Sequence, residues 1–220
     1  MQLNSDFSKR CVVHSHEEPW VASPLPGVER RMLDRVGGEF ANRATTIVRY
    51  EPGSSFSAHT HGGGEEFIVL EGTFSDETGD FKTGSYVRNP VNSSHTPFSK
   101  DGCTIFVKLG QMAPEDQEHV RIDTPGTAWQ PGLVEGLEVM PLHNFGSEHI
   151  ALVRWQPNTT FQPHRHFQGE EILVLEGTFE DEHGVYPKGT WLRSPPGSEH
   201  TPFTKQGCTI YVKTGHLGDM

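Results

Sequence analysis

The chain has 220 residues, with 18 Lys and Arg against 29 Asp and Glu, and a formal net charge of −11. That balance argues against binding nucleic acid through a broad basic surface. No stretch approaches the roughly 18–20 apolar residues of a membrane helix, so no membrane partner is expected. The N-terminal segment has no apolar core of a secretory signal, and 3 Cys are too few for a disulfide framework. A cytoplasmic, reducing location is therefore expected. The 24 Gly and 16 Pro point to many turns between short strands, and the 13 His invite a search for clusters.

In chain order, the segment VERRMLDRV (28–36) allows one or two helical turns. HTH (59–61) follows, and then EFIVLEGTF (66–74), a β-rich run broken by Glu-Gly. DETG (76–79) reads as a turn, and SYVRN (85–89) and CTIFVKL (103–109) as further strands bounded by Gly and Pro. No segment sustains a 3.6-residue apolar period, so the predicted class is all-β, a barrel or jelly roll.

The pattern then repeats. A shift of about 105 positions aligns Val48–Lys108 with Val153–Lys213 without a gap, and about 33 of about 61 pairs are identical. The upstream part repeats at a shift of about 109, pairing Trp20 with Trp129 and Leu33 with Leu142. Two homologous domains are predicted, 11–110 and 122–216. The polar segment 111–121 reads as the linker between them. LEVMPLHNF (137–145), the counterpart of VERRMLDRV, contains Pro141, which weighs against a helix there.

His59 and His61 form an HxH pair, as do His164 and His166. Residues i and i+2 of a strand share a face, so both imidazoles can reach one point. Glu65 and Glu170 follow each pair at equal spacing, and His95 and His200 come later, each after a Pro-containing turn. Three His and one Glu thus recur in both halves, while the residues between them differ: Thr60 against Arg165, Gly62 against Phe167. Such a set predicts one divalent metal per half, held by His59, His61, Glu65 and His95 and by His164, His166, Glu170 and His200. Imidazole suits Zn, Fe, Ni and Cu, and the carboxylate admits Mn. The adjacent Glu66 and Glu171 are expected to point outward or into an interface. Cys103 and Cys208 read as buried free thiols. The remaining His, among them His14, His16 and His216, read as surface or packing residues, and no catalytic residue is assigned.

These spacings resemble the cupin family. Gly53, His59, His61, Glu65 and Gly72 match its first motif; Gly84, Pro90 and His95 match its second, with Asn92 in place of a Gly. In the second half Asn158 replaces the first Gly, while Gly189, Pro195, Gly197 and His200 match in full. The resemblance implies two tandem cupin domains, small jelly-roll β-barrels related by duplication, each with a metal in its mouth. A narrower resemblance, carried by HxHxGGEEFIVLEGTFSDE, RNPVNSSHTPFS and GCTIFVK, is to the cupin-like domain of the anti-sigma factor ChrR. It implies a regulatory, stress-sensing metal protein, with zinc as the foremost metal and an extracytoplasmic-function sigma factor or another regulatory protein as partner. The HxxxCxxC zinc motif of the ChrR anti-sigma domain has no counterpart in this sequence.

The wider family implies an alternative, an Fe, Mn or Ni dioxygenase acting on a small diketone or aromatic ketone in the barrel mouth. There Tyr86 and Trp191, Phe98 and Phe203, and Arg88 and Arg193 would line the site if they face inward. Arg88 and Arg193 on the barrel exterior is an equally open reading. A third possibility is a metal-stabilised scaffold without chemistry.

Overall fold

A computed structural model describes residues 1–38 and 41–218. The architecture is all-β, with a single 3-10 turn at Thr124–Gly126 and no α-helix among the described residues. It divides into two units, one formed by 1–5 and 18–127, the other by 6–17 and 128–220. Beyond the first edge strand, each is built on the same strand order.

In the first unit the main sheet runs Gln2–Leu3, Val28–Gly37, Ala41–Tyr50, Cys103–Leu109, Glu65–Asp76, Ser85–Asn89 and Val120–Asp123, all antiparallel neighbours. The segment VERRMLDRV, which allowed a helical turn, is a strand throughout. Its pairing with Ala41–Tyr50 gives its backbone groups a ladder, and a bulge between Met32 and Asp34 lets it curve. In the second unit the same bulge falls between Pro141 and His143. Pro141 is accommodated at this irregularity, where a missing N–H costs least.

The last strand of each path comes from the other repeat. Cys11–His14 pairs with Thr190–Ser194 and completes the second unit, whereas Val120–Asp123 pairs with Ser85–Asn89 in the first. The segment read as a linker is thereby structured. Asp116 is buried against Arg88 at 2.6 Å, and Gln111 donates to the Ala44 carbonyl.

The core of the first unit gathers Val28, Tyr50, Phe67, Val69, Phe74 and Ile105; that of the second gathers Leu137, Trp155, Ile172, Val174, Phe179 and Ile210. The two Asn that depart from the cupin pattern keep its backbone. Asn92 has φ 68° against 80° for Gly197, and Asn158 has φ 62° against 80° for Gly53. Asn tolerates this left-handed region, so the turns survive the exchange.

Candidate metal centres

In each unit a two-stranded ribbon carries the histidines. His59–His61 pairs with Ser93–His95 so that His59 faces His95, and His164–His166 pairs with Ser198–His200 so that His164 faces His200. Alternation puts both members of each HxH on one face, and the ribbon register adds the third imidazole. The three ring centroids lie 4.7–5.0 Å apart in the first unit. The strand that leaves the next turn starts with the Glu, at Glu65 or Glu170.

In the second unit His164, His166, Glu170 and His200 bring one ligand atom each to within 4.8 Å of one another. Nε2 of His166 and Nε2 of His200 are 3.1 Å apart, and Glu170 lies 3.4 Å from the first and 3.7 Å from the second. In the first unit the 4.8 Å group holds His59, His61 and His95. Glu65 stands beside it, with Oε2 3.5 Å from Nε2 of both His61 and His95.

The donor set fits a divalent cation. Bonds of roughly 2.0–2.2 Å place neighbouring ligands about 3.0–3.4 Å apart, close to the separations here. The hydrogen-bond pattern agrees. His59 and His164 direct Nδ1 to backbone carbonyls of Ser57 and Gln162, at 2.8 and 3.0 Å, leaving Nε2 free for the centre. His95 directs Nδ1 to Asp76 at 3.1 Å, and His200 to Asp181 at 3.3 Å. Their Nε2 atoms then meet those of His61 and His166, where two lone pairs would repel without a cation or proton between them. Oε2 of Glu170 is buried with no hydrogen-bond partner, a costly arrangement that a cation relieves.

Electrostatics divide the ligands. Burial lowers His61, and it drives His166 down to about 3, so His166 is a neutral donor. Burial pulls His95 and His200 the same way, but the hydrogen bonds to Asp76 and Asp181 and the nearby Glu65 and Glu170 outweigh it and raise both. Burial raises Glu170 to about 7 against the pull of His200 and Arg10. Asp76 sits at about 2, because bonds from His95 and Thr78 overcome its burial.

Asp76, and its counterpart Asp181, belong to the candidate centres, though the turn reading of DETG passed over the first. Each closes the long strand that its Glu opens. A bulge near Val69 in one unit and Val174 in the other shifts the alternation, which brings the Asp back to the face of the Glu. Their identity in both repeats was the available signal. Behind Asp181 stands Arg10 of the exchanged strand segment, 2.7 Å from Oδ2, with Tyr186 donating to Oδ1 at 2.8 Å. The first unit supports its Glu instead: Arg121 donates to Asn89 at 2.6 Å, and Asn89 donates to Glu65 at 3.0 Å.

Two readings left open by the sequence are narrowed. Glu66 and Glu171 point away from the ligands, yet both are buried: Glu66 accepts from Arg88 at 2.6 Å and from Tyr86 at 3.2 Å, and Glu171 lies 3.3 Å from His216. Arg88 shares the face of Glu66, opposite to Glu65, so it lies outside the barrel and holds no substrate in the mouth. Tyr86 goes with it. Arg193 and Trp191 occupy the same register beside Glu171 and Leu173, and Arg193 stacks on Phe7 at 4.1 Å. A cavity of about 210 Å³ does adjoin the second centre, and Leu137, Val139, Val153, Trp155, Phe161 and Ile172 form much of its wall.

The two repeats, residues 8–113 and 117–218, each match the family model of the ChrR cupin-like domain. Among curated proteins none matches the sequence. Solved structures share the fold at low identity. A candidate dioxygenase of Nostoc punctiforme is 13% identical with a TM-score of 0.78, covering 97% of this chain and 85% of that one. Oxalate decarboxylase of Lactobacillus farciminis, in a formate complex, is 12% identical with a TM-score of 0.67, over 94% and 86%. Pirin of Escherichia coli, in complex with nickel(II), is 11% identical with a TM-score of 0.66, over 94% and 98%.

Proposed function

The chain belongs to the ChrR cupin-like domain family, with both repeats matched, and from that premise we propose that it is a two-metal regulatory module of the stress-sensing kind. The observation that carries the metal part is the second cluster: three imidazoles and a carboxylate converge there, and the buried Oε2 of Glu170 has no hydrogen-bond partner. His164, His166, Glu170 and His200 would hold one ion, and His59, His61, Glu65 and His95 the other. The donor set suits zinc as well as iron, manganese or nickel, and the likeness to ChrR supports zinc. A bound divalent ion would supply a Lewis-acid centre. The chain's own groups hold the imidazoles in the tautomer that presents Nε2, through Asp76, Asp181 and two backbone carbonyls. A sigma factor or another regulatory protein would read the state of the centres from outside the barrels.

The test has two parts. Elemental analysis of the purified protein is expected to give two ions per chain. A pull-down with cognate extracytoplasmic-function sigma factors is expected to retain one of them in a metal-dependent way. Two ions with no sigma association, with or without oxidant, would remove the regulatory reading and leave the metal one.

A second reading, a metal-dependent dioxygenase, is favoured by the cavity beside the second centre. The fold likeness to a candidate dioxygenase is in keeping with it. It no longer draws support from Arg88 and Arg193. Oxygen uptake by the iron-loaded protein over a panel of small ketones distinguishes it from the first reading.

A further inference from the structure

We propose that the second centre binds a small monocarboxylate with an aromatic or short aliphatic tail, its carboxylate at the metal and its tail in the adjoining cavity. This rests on the metal reading above and names the ligand class of that site.

The wall of the cavity sets the class. Away from the His and Glu end it is formed by aliphatic and aromatic side chains, including Leu137, Val139, Val153, Ile172 and Ile210. A second charged group at the far end of the tail would lie against these apolar side chains. The volume, about 210 Å³, sets the size. A dry cavity of about 150 Å³ accepts benzene, so this one takes a single ring with a head group, or a chain of about six carbons.

Charge sets the head group. A divalent ion with three neutral imidazoles and one carboxylate keeps one net positive charge, which a monoanion neutralises. Trp155 lines the cavity and is 6% exposed, and its indole Nε1–H is buried without a hydrogen-bond partner. A buried donor of this kind calls for an acceptor, and a carboxylate oxygen is one.

The first unit differs at these positions. The repeat places Phe67 opposite Ile172, Tyr50 opposite Trp155, Arg30 opposite Val139 and Leu109 opposite Thr214. Phe67 is fully buried and packs on Phe74 with ring centroids 4.6 Å apart. A ring therefore stands where the second unit has the smaller Ile172, and the phenol of Tyr50 stands in place of the indole. One ligand per chain is expected.

The experiment uses the full chain loaded with metal, with benzoate, hexanoate and adipate as probes, read by calorimetry and tryptophan fluorescence. Benzoate and hexanoate are expected to bind at one per chain. Adipate, which carries a second carboxylate at the far end of a hexanoate-length chain, is expected to bind roughly tenfold more weakly or not at all. Ile172→Phe, which installs the residue of the first repeat, is expected to weaken benzoate roughly tenfold or more while both metals stay bound. Trp155→Phe keeps a ring and deletes the donor, for a loss of about tenfold. If Ile172→Phe does not fold, Thr214→Leu serves as the second cavity-narrowing variant. Two metals with no benzoate binding, two ligands per chain, or binding unchanged in the narrowed variant would each overturn the proposal and leave the metal reading standing. Absence of metal from the purified and reconstituted protein would overturn both.

Discussion

Nδ1 of His200 lies 3.3 Å from Oδ2 of Asp181, on the far side of the ring from the Nε2 that faces His166. The carboxylate fixes which nitrogen carries the proton and makes the other a better donor. Asp181→Asn removes that charge while keeping the shape. It is expected to lower metal affinity at the second centre about 10–100-fold. Chelator competition measures the affinity, and Asp76→Asn is the matching change in the first unit. An unchanged affinity in both variants would mean that the Asp only packs.

The two units support their ligands by different routes, which yields a site-selective prediction. Arg10 donates to Asp181 at 2.7 Å and to Tyr186 at 2.5 Å, whereas Arg121 acts on Glu65 through Asn89. Arg10→Leu is expected to weaken the second centre alone, by about tenfold or less, because the carboxylate itself remains. Arg121→Leu is expected to weaken the first centre alone. With one centre disabled by His59→Ala or His164→Ala, the other can be titrated separately. Equal losses at both centres from either Arg variant would contradict this division.

The fold class and the eight candidate ligands were legible because duplication provides an internal control. His59, His61, Glu65 and His95 recur at the same spacing in His164, His166, Glu170 and His200, and turn residues recur with them. Asp76 was hidden by a bulge. Plain alternation from Glu65 puts Asp76 on the opposite face, and only the irregularity near Val69 returns it. The placement of Arg10 was hidden for another reason. A strand joins a sheet through backbone bonds, which any β-prone sequence can make, so nothing in Cys11–His14 says which repeat it will complete. Arg88 was ambiguous because a long charged side chain is usual outside a barrel. The pairing of Arg88 with Glu66 decides it, since cross-strand partners share a face.

The cysteines bear on how such a module could respond to oxidants. Burial raises Cys103 to about 11 and Cys208 to about 12, whereas Cys11 is partly exposed. A thiol held protonated is a poor nucleophile. At pH 8 a small alkylating reagent is therefore expected to modify Cys11 in the native protein and to reach Cys103 and Cys208 only after denaturation. Mass spectrometry of the timed reaction checks this. Rapid native labelling of Cys103 or Cys208 would make them candidates for oxidant sensing; slow labelling leaves the metal centres as the responsive element.

Metal loading is expected to depend on pH with a sign that the ligand environments fix. An ion binds deprotonated ligands, so each ligand that holds a proton at the working pH must release it. At the second centre Glu170, at about 7, takes up a proton as the pH falls through neutrality, and His200, raised by Asp181 and Glu170 against its burial, takes one up at a higher pH than an ordinary imidazole. His166, held at about 3, stays neutral and does not compete. Asp181, lowered by its bonds to His200 and Arg10 despite burial, stays ionised over the whole range. Affinity is thus expected to be nearly level above about pH 8 and to fall below about pH 7 with a slope between one and two protons per ion. Competition titrations at steps from about pH 8.5 to about 5.5 give that slope directly. Asp181→Asn removes the charge that raises His200, and the midpoint of the fall should move to lower pH. A level affinity across the range, or a slope near three, would contradict the assignment of Glu170 and His200 as the two titrating ligands.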